Sequence, residues 1–399
     1  MKKIILIGSY LPRKCGIASF TYDLYKNICL AENECIVMAV NDGENYDYPP
    51  EVKFQINQHI IEDYVKASDF INAAAMDAVY IQHEFGIYGG ENGKYLIELI
   101  KRLKIPIVTT LHTILDTPSP EQKSILEQIG IHSSHIVVMS GMGKKMLSQI
   151  YKIPESKIHI IGHGIPNPAE FRLKNYKEEL GIENKKVLLT FGLLSKSKGI
   201  ETALRALPKI LKKHPDTVYV VLGASHPHII RSEGENYRHS LLNLTRKLDL
   251  TAHVVFIDKF VTQEELFGFL QMSDIYIIPY LSEKQITSGT LAYAMATHNA
   301  IISTPFWHAQ EALSGGKGIF FEFNNSSELV KSVNKLLDNH LILKKYQMKA
   351  ADYARQFDWK KIGEKYLSLF KTISQYKLDQ FYKLRENEQV ARTQTRSLI

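Results

Sequence analysis

The chain has 399 residues, of which 45% are hydrophobic and 23% are charged. This balance is typical of soluble globular proteins and excludes disordered, collagen-like and coiled-coil chains. At about 150 residues per domain, the length predicts two globular units. The sequence has no apolar run approaching the ~20 residues of a membrane helix, and the apolar stretch after Lys3 is too short for a secretion signal. We therefore expect a cytoplasmic protein.

The formal net charge of +7 is unevenly distributed along the chain. Up to Pro168 there are 16 Lys and Arg against 18 Asp and Glu, a balance of −2, which leaves +9 for the remainder. A basic second half suits nucleic acid, an anionic membrane surface or a polyanionic small ligand. The basic residues do not form runs interleaved with aromatic residues, so we expect no nucleic-acid partner. Peripheral contact with the cytoplasmic face of a membrane stays open at this point.

Three cysteines occur, at positions 15, 29 and 35, without CxxC spacing. Their odd number predicts reduced thiols, with neither a disulfide nor a structural zinc site. His83-Glu84 does not begin a metalloprotease H-E-x-x-H motif, because position 87 is Ile.

Short apolar strands alternate with helical segments in both halves of the chain, on either side of a polar connector over residues 170–184. This pattern predicts an α/β protein with two parallel, doubly wound sheets. We expect a first domain over 1–170, a second over 185–358, a helix over 359–380 that crosses back to the first domain, and a polar tail over 381–399. The predicted strands are Lys3–Gly8, Glu34–Val40, Ala78–Gln82, Ile105–Leu111, His135–Ser140, Lys157–Gly162, Lys186–Leu194, Val218–Gly223, His253–Ile257, Asp274–Pro279 and Ala300–Ser303.

Two glycine-containing loops lead from a predicted strand into a helix. Gly16 precedes the first helix, where free backbone N–H groups can receive an anion. In the second half, Ser195, Lys196 and Lys198 precede Gly199 and a helix, which suits a diphosphate, although the spacing is not that of a Walker loop. The alternatives are a plain turn at Gly16 and a solvated lysine at position 196.

A third loop ends in four residues that offer hydroxyl and backbone donors at a helix start, which suits a phosphate or a sugar hydroxyl. A simple helix cap is the alternative. The four residues are Thr287, Ser288, Gly289 and Thr290.

His112 ends a predicted strand of the first half. A lone histidine is more often structural, but ligands of open parallel sheets bind at the carboxyl ends of the strands. The position of His112 therefore favours a functional role.

These motifs together resemble the family 4 glycosyltransferases, which are retaining enzymes with two Rossmann-like domains facing across a cleft, the GT-B fold. The resemblance covers nearly the whole chain. The matching stretches are Cys15–Ala18, Val108–His112, Ile136–Ser140, His163–Ile165, the G-x-L-x-x-x-K-G loop from Gly192 to Gly199, and Phe267–Pro279.

The resemblance implies transfer of a hexose, glucose or mannose, from a UDP- or GDP-linked sugar to an oligosaccharide, glycoconjugate or lipid-linked acceptor. It implies no cofactor and no metal, and the sequence has no D-x-D motif of the kind that binds one. Lys198, Gly16 and the helix start after Gly289 would stabilise the charge on the departing diphosphate. His112 would face the donor sugar.

Two departures from the family pattern concern the donor site. The arginine that usually follows the loop glycine is Leu193 here, and Lys196 is expected to replace its charge. The family's paired glutamates align with Gln285 and Tyr293, so the ribose is expected to contact Tyr293 or Glu283 instead. We place Gln285 with His112 and Lys198 among the catalytic candidates.

Two other classes of protein would also retain the phosphate-binding loops. A regulatory nucleotide-binding protein would need no His112, and a GT-B phosphorylase or epimerase would use the same cleft for a different reaction. Release of free nucleoside diphosphate separates a transferase from a pure binding protein.

Overall fold

The computed structural model describes residues 2–29, 33–225, 230, 233–370 and 372. The first half forms a seven-stranded parallel sheet with the strand order β3-β2-β1-β4-β5-β6-β7. Its strands are β1 Lys2–Gly8, β2 Asn33–Asn41, β3 Val52–Asn57, β4 Ala78–His83, β5 Ile107–Leu111, β6 His135–Val138 and β7 Ile158–Ile160. Its helices are α1 Gly16–Ile28, α2 Ile61–Ala73, α3 Tyr95–Ile100, α4 Pro120–His132 and α5 Gly141–Gln149.

The second half forms a six-stranded parallel sheet with the strand order β10-β9-β8-β11-β12-β13. Its strands are β8 Lys186–Phe191, β9 Thr217–Leu222, β10 Val254–Ile257, β11 Ile275–Ile278, β12 Ala300–Ser303 and β13 Ile319–Phe320. Its helices are α6 Tyr176–Glu179, α7 Ile200–Leu211, α8 Asn236–Lys247, α9 Gln263–Met272, α10 Gly289–Ala296, α11 Trp307–Ala312, α12 Ser326–Leu337 and α13 His340–Ala354.

The central strands of both sheets are apolar on both faces because helices cover both. In β1, the four residues 4–7 have no exposed surface, and β9 is buried throughout. Several helices begin where the sequence supplies a cap. Ser119 and Thr262 each form a reciprocal capping box with the residue three positions on. The predicted α/β class with two Rossmann-like sheets is confirmed.

All eleven predicted strands are present, but β3 and β13 were not expected from the sequence. β3 is an edge strand whose residues alternate between more and less buried positions, unlike the continuously apolar strands that carried the prediction. Its sequence, Val-Lys-Phe-Gln-Ile, has the alternation of a half-exposed strand. The alternation of β3 could therefore have been recognised in the sequence.

The connector over residues 170–184 is polar in composition, but several of its side chains make apolar contacts with the second domain. Tyr176 stacks on Phe269, with ring centroids 3.8 Å apart, and Phe171 stacks on Phe267 at 5.3 Å. Five side chains of this charged segment thus pack into the core of the second domain; the other three are Leu173, Leu180 and Ile182.

A helix over residues 359–370 follows the second domain and packs on the first. Trp359, Ile362 and Tyr366 belong to the same buried cluster as Leu6 of β1 and Leu24 of α1. Where the chain crosses, the Ile165 amide donates to the Phe357 carbonyl at 2.7 Å. Residue 371, residues 373–380 and the predicted tail over 381–399 lie outside the described residues, and the predicted domain bounds stay predictions.

The prediction that all three cysteines are reduced thiols was wrong. Cys29, at the end of α1, and Cys35, at the start of β2, are joined by a disulfide, with Cα atoms 5.6 Å apart. The reason is topological, since a short connection brings a helix end close to the start of the next strand. Cys15 is free, and its sulfur accepts a hydrogen bond from the Ala18 amide at the start of α1.

No helix within the described residues has both the length and the apolar character required to cross a lipid bilayer.

Candidate donor-binding site

A cavity of about 290 Å3 lies between the two sheets. Its walls come from the residues that follow β5 in the first sheet and β8 and β11 in the second. β8 and β11 are neighbours at the point where the strand order of the second sheet reverses, the usual ligand site of doubly wound folds. The lining residues are His112, Thr113, Ile114, Ser197, Lys198, Tyr280, Ser282, Lys284, Gln285, Ile286 and Thr287.

Lys198 supplies a positive charge to this cavity. Its ammonium lies 4.0 Å from the centre of the Tyr280 ring, a cation–π contact. Burial acts to raise the pKa of Tyr280, but the Lys198 charge and hydrogen bonding outweigh burial and hold this pKa below its usual value. Among the described residues, no carboxylate forms an ion pair with Lys198. The charge is therefore available to an anionic ligand.

Helix α10 begins beside this lysine. The Tyr280 hydroxyl lies 3.2 Å from the Thr290 hydroxyl, which lies 3.2 Å from that of Ser288. Ser288 caps the helix by accepting from the Leu291 amide. Its own amide donates to Nδ1 of His308 at 2.9 Å. Burial lowers the pKa of His308 to about 4, so the ring is neutral near pH 7 and can accept this bond.

His112 lines the opposite wall of the cavity. Its Nε2 lies 3.0 Å from Oε1 of Gln82, and its ring meets the edge of Phe20 with centroids 4.8 Å apart. Burial, assisted by His163 and His83, lowers the pKa of His112 to about 3. The ring is consequently neutral at physiological pH and can exchange hydrogen bonds with a sugar hydroxyl without contributing charge.

Gln285 and Thr287 complete the wall near α10. The Gln285 amide donates to the Thr287 carbonyl at 2.9 Å, while the Thr287 hydroxyl is buried and has no hydrogen-bond partner. A buried hydroxyl without a partner is costly, and a polar ligand atom would relieve it.

Ser195 and Gly289 lie two positions from lining residues without lining the cavity themselves, and Gly16 is not a lining residue either. The Ser195 hydroxyl lies 2.8 Å from that of Ser197, which is a lining residue. Gly289 opens α10, and a Cβ there would lie 3.0 Å from Nε2 of His163. Gly16 opens α1, and a Cβ there would have no neighbour within 4 Å, so the backbone is accessible.

Three other predicted residues are not among those that line the cavity. The Lys196 side chain is 70% exposed and pairs with Glu233 at 2.8 Å. Glu283 is exposed, and its backbone carbonyl accepts from the Trp307 amide. The Tyr293 ring packs edge-on against His163, with centroids 5.7 Å apart. The predicted contact of Tyr293 or Glu283 with the ribose of the donor stays a prediction.

Several contacts join the two domains, and two of them involve the lining residues Lys284 and Ile286. Lys284 forms an ion pair with Asp116 at 2.9 Å across the cleft. Both carboxylate oxygens of Glu311 in α11 accept from the Gly141 amide, at 3.0 and 2.9 Å, at the start of α5. Ile286 joins the buried core of the first domain. The two domains are therefore closed upon each other around the site.

A buried carboxyl group joins the domains at another point. Asp23 of α1 is 5% exposed, and its Oδ2 accepts from the Gln263 amide of α9 at 2.6 Å. Burial raises the pKa of Asp23 to about 7, although the Gln263 hydrogen bond and the Lys26 charge act in the opposite direction.

This raised pKa predicts a pH-dependent stability. Because the folded protein holds the Asp23 proton more tightly than the unfolded chain, the free energy of unfolding falls as the pH rises from about 4 to about 7. Asp23→Asn keeps an acceptor for Gln263 and removes the titration. Between pH 5 and pH 8, the free energy of unfolding of the variant should rise by about 2–3 kcal/mol relative to that of wild type. Urea unfolding at each pH measures this difference. Parallel stability profiles for the two proteins would contradict this expectation.

No group of three or more His, Cys, Asp or Glu side chains is arranged to hold a metal ion in the part of the chain that the structure describes.

Comparison with known protein families agrees with this architecture. Residues 147–357, more than half of the chain, match the family described as glycosyl transferases group 1, and residues 16–167 match glycosyltransferase family 4. The chain belongs to the group 1 glycosyltransferases. The family predicted from the motifs is confirmed.

Relatives of this group 1 glycosyltransferase include spore coat protein SA of Bacillus subtilis (strain 168), which is 29% identical over 212 residues. The match covers 51% of this chain and 53% of that protein, so it spans about half the length of the relative. D-inositol 3-phosphate glycosyltransferase of Corynebacterium aurimucosum is 26% identical over 277 residues, covering 64% of this chain and 63% of that protein.

Among solved structures, Anabaena HepE in complex with UDP-glucose superposes on the glycosyltransferase with a TM-score of 0.71. The superposition covers 92% of this chain and 99% of HepE at 17% sequence identity. The GT-B fold predicted from the sequence is confirmed.

Sequence reasoning did not single out several of the site residues that the glycosyltransferase structure brings together. Tyr280 and Ser197 lie within the loops that were recognised, but an aromatic partner for Lys198 has no sequence signature. Thr113 follows His112 directly, and Lys284 adjoins Gln285. His308 could have been found, because it follows β12 at the carboxyl edge of the second sheet.

Proposed function

We propose that the protein is a retaining, metal-independent hexosyltransferase that uses a nucleoside-diphosphate sugar as donor. The observation that carries the proposal is the cavity in which Lys198, with no carboxylate partner among the described residues, faces the neutral His112 from the other domain. A diphosphate against Lys198 and the start of α10 would place its hexose toward His112 and Gln285.

The residues of this site can promote departure of the nucleoside diphosphate. As the bond between the sugar C1 and the β-phosphate oxygen breaks, its electron pair stays on the phosphate. The Lys198 ammonium, with hydroxyl and amide donors at the start of α10, stabilises that charge. The acceptor hydroxyl forms the new bond to C1 on the same face, and its proton passes to the departing phosphate oxygen.

UDP-glucose is the first donor to test, because the structurally similar HepE was solved with it; GDP-mannose is the second. We propose an oligosaccharide, glycoconjugate or lipid-linked saccharide as acceptor, and a cytoplasmic location with peripheral contact to a membrane. Thermal unfolding with UDP, GDP, ADP and their sugars identifies the donor, since a ligand at 100 times its Kd adds about 2.7 kcal/mol of stability.

The deciding experiment measures nucleoside diphosphate released from the stabilising donor, with and without a panel of saccharide acceptors. Acceptor-dependent release, with a product that keeps the anomeric configuration of the donor, is the expected result. Tight donor binding without any release would favour the non-catalytic nucleotide-sugar-binding protein instead.

Metal removal should leave this activity unchanged. Lys198 and the α10 start supply the charge stabilisation for which other enzymes use a divalent ion. Donor turnover after treatment with EDTA is therefore expected to equal that of untreated protein, and to be unaltered by added Mg2+ or Mn2+. Loss of turnover that Mg2+ or Mn2+ restores would contradict a metal-independent mechanism.

Gln285→Glu is expected to weaken donor binding by about tenfold. A carboxylate cannot donate to the Thr287 carbonyl as the amide does, and it would repel the donor diphosphate. Adding Leu193→Arg, which restores the family's usual cation, should recover part of the affinity. Calorimetric Kd values for both single variants and the double variant give the coupling between the two positions. Strictly additive effects would show that the two positions do not compensate each other.

A further inference from the structure

Gln82, the penultimate residue of β4, has an environment that packing alone does not explain. Its side chain is completely buried, yet its amide nitrogen has no hydrogen-bond partner. A buried polar side chain with one unsatisfied atom costs stability compared with an apolar residue of the same shape. Its one side-chain hydrogen bond within the described structure joins Oε1 to Nε2 of His112 at 3.0 Å.

The surrounding backbone holds this pair in place. β4 and β5 run parallel, with Gln82 paired to Thr110, and the His112 amide donates to the His83 carbonyl at 3.0 Å. Gly8 on β1 makes room for the glutamine, because a Cβ at position 8 would lie 3.0 Å from the Gln82 Cβ. The glutamine is therefore fixed against the sheet, while His112 reaches the cavity.

The orientation of the amide determines the protonation of the imidazole ring. A carbonyl oxygen facing Nε2 can only accept, so Nε2 must carry the hydrogen. Nδ1 then carries the lone pair, and it has no protein partner within the described structure. His163 provides an internal contrast, because its Nδ1 lies 2.7 Å from the Gly164 carbonyl and must carry the hydrogen instead.

We propose that Gln82 is a positioning residue that locks His112 as the Nε2–H tautomer and leaves Nδ1 to accept a hydrogen bond from a hydroxyl of the donor hexose. The inference rests on the proposed function for the identity of that ligand. An amide suits this task better than a carboxylate, which would favour the protonated, doubly donating ring.

Long-range 1H–15N correlation spectra of protein labelled with 15N-histidine show which ring nitrogen carries the hydrogen, so they test the proposed tautomer without an activity assay. His112→Gln assigns the His112 signals by their loss. We expect the Nε2–H form for His112 and the Nδ1–H form for His163 in wild type. Gln82→Met, similar in length but unable to accept this bond, should add the Nδ1–H form at His112. A wild-type His112 in the Nδ1–H form would overturn the proposal even if Gln82→Met failed to fold.

Steady-state kinetics then test whether fixing the His112 tautomer contributes to the reaction. Gln82→Met should lower kcat for nucleoside diphosphate release about tenfold with little change in KM. In a His112→Ala background the same substitution should have no further effect, since a positioning residue acts only through its partner. The matched control is Tyr80→Phe, which removes a buried hydrogen bond to the Tyr366 carbonyl from the same strand and sheet face. Its kcat should match that of wild type.

The results of these experiments distinguish a failure of the Gln82 proposal from a failure of the proposed function. Equal losses from Gln82→Met with and without His112 would make Gln82 a general structural residue and overturn the proposal. If His112→Ala left turnover unchanged, the role of His112 in the proposed function would fail, while the tautomer spectra would still decide whether Gln82 sets the ring.

Discussion

Lys198→Ala is expected to lower kcat for donor turnover by about 100- to 1000-fold, the range found when one preorganised charge donor is removed from an active site. The ammonium lies over the Tyr280 ring at the cavity wall, without a carboxylate partner among the described residues. Its charge is thus free to meet the β-phosphate as negative charge accumulates there. Steady-state release of nucleoside diphosphate at saturating donor measures this effect.

Lys213→Ala is the matched control for Lys198→Ala. This lysine belongs to the same domain but pairs with Asp338 on the surface, 56% exposed. Its loss should change kcat less than twofold. Lys198→Arg, which keeps the charge but not the shape, should retain more activity than Lys198→Ala. Near-normal turnover in Lys198→Ala would remove this residue from the diphosphate site.

Gly199→Ala is expected to destabilise the second domain by about 3 kcal/mol or more. The glycine has a φ of 60°, in the left-handed region, and a Cβ there would lie 2.1 Å from the Pro279 carbonyl oxygen. That oxygen belongs to the backbone after β11 and cannot move away without displacing the loop that carries Tyr280. Both stability and donor binding should therefore fall together. Thermal and urea unfolding measure the first effect, and calorimetry measures the second.

Gly181→Ala separates backbone strain from steric overlap. Gly181 has a nearly equal φ of 65°, but a Cβ there would have nothing within 4 Å. Its substitution should cost only the conformational penalty, about 1–2 kcal/mol. If both variants lost the same stability, the close contact of Gly199 with the Pro279 carbonyl would not be important.

The strongly periodic parts of the fold could be predicted from sequence. Buried strands such as β1 and β9 are continuous apolar runs, and parallel sheets with helices on both faces are the fold in which such runs occur. β3 was missed because an edge strand keeps polar residues on its exposed side. The Cys29–Cys35 disulfide was missed because its formation depends on where a helix ends in space, which cysteine spacing does not show.

The site could be predicted only in part, for a physical reason. His112, Lys198, Gln285 and Thr287 line one cavity because each follows a parallel strand, and the carboxyl ends of such strands share an edge. Lys196, two positions from Lys198, instead pairs with Glu233. Loop lysines of identical charge are indistinguishable in sequence, and only the local turn decides which one enters the cavity. The Gln82–His112 bond likewise depends on the register of two strands.

The helix over residues 359–370 has a consequence for synthesis of the chain, because it completes the core of the first domain. It supplies Trp359, Ile362 and Tyr366 to the core that lies between β1 and α1, and the Tyr366 hydroxyl lies 2.9 Å from that of Thr110. During synthesis, the domain that emerges first from the ribosome therefore lacks part of its own interior until nearly all of the described chain has been made. The second domain, whose two sheet-facing cores come almost entirely from residues 165–354, can complete its fold before the first. The core of the domain made first is thus completed by a segment that is made after the second domain.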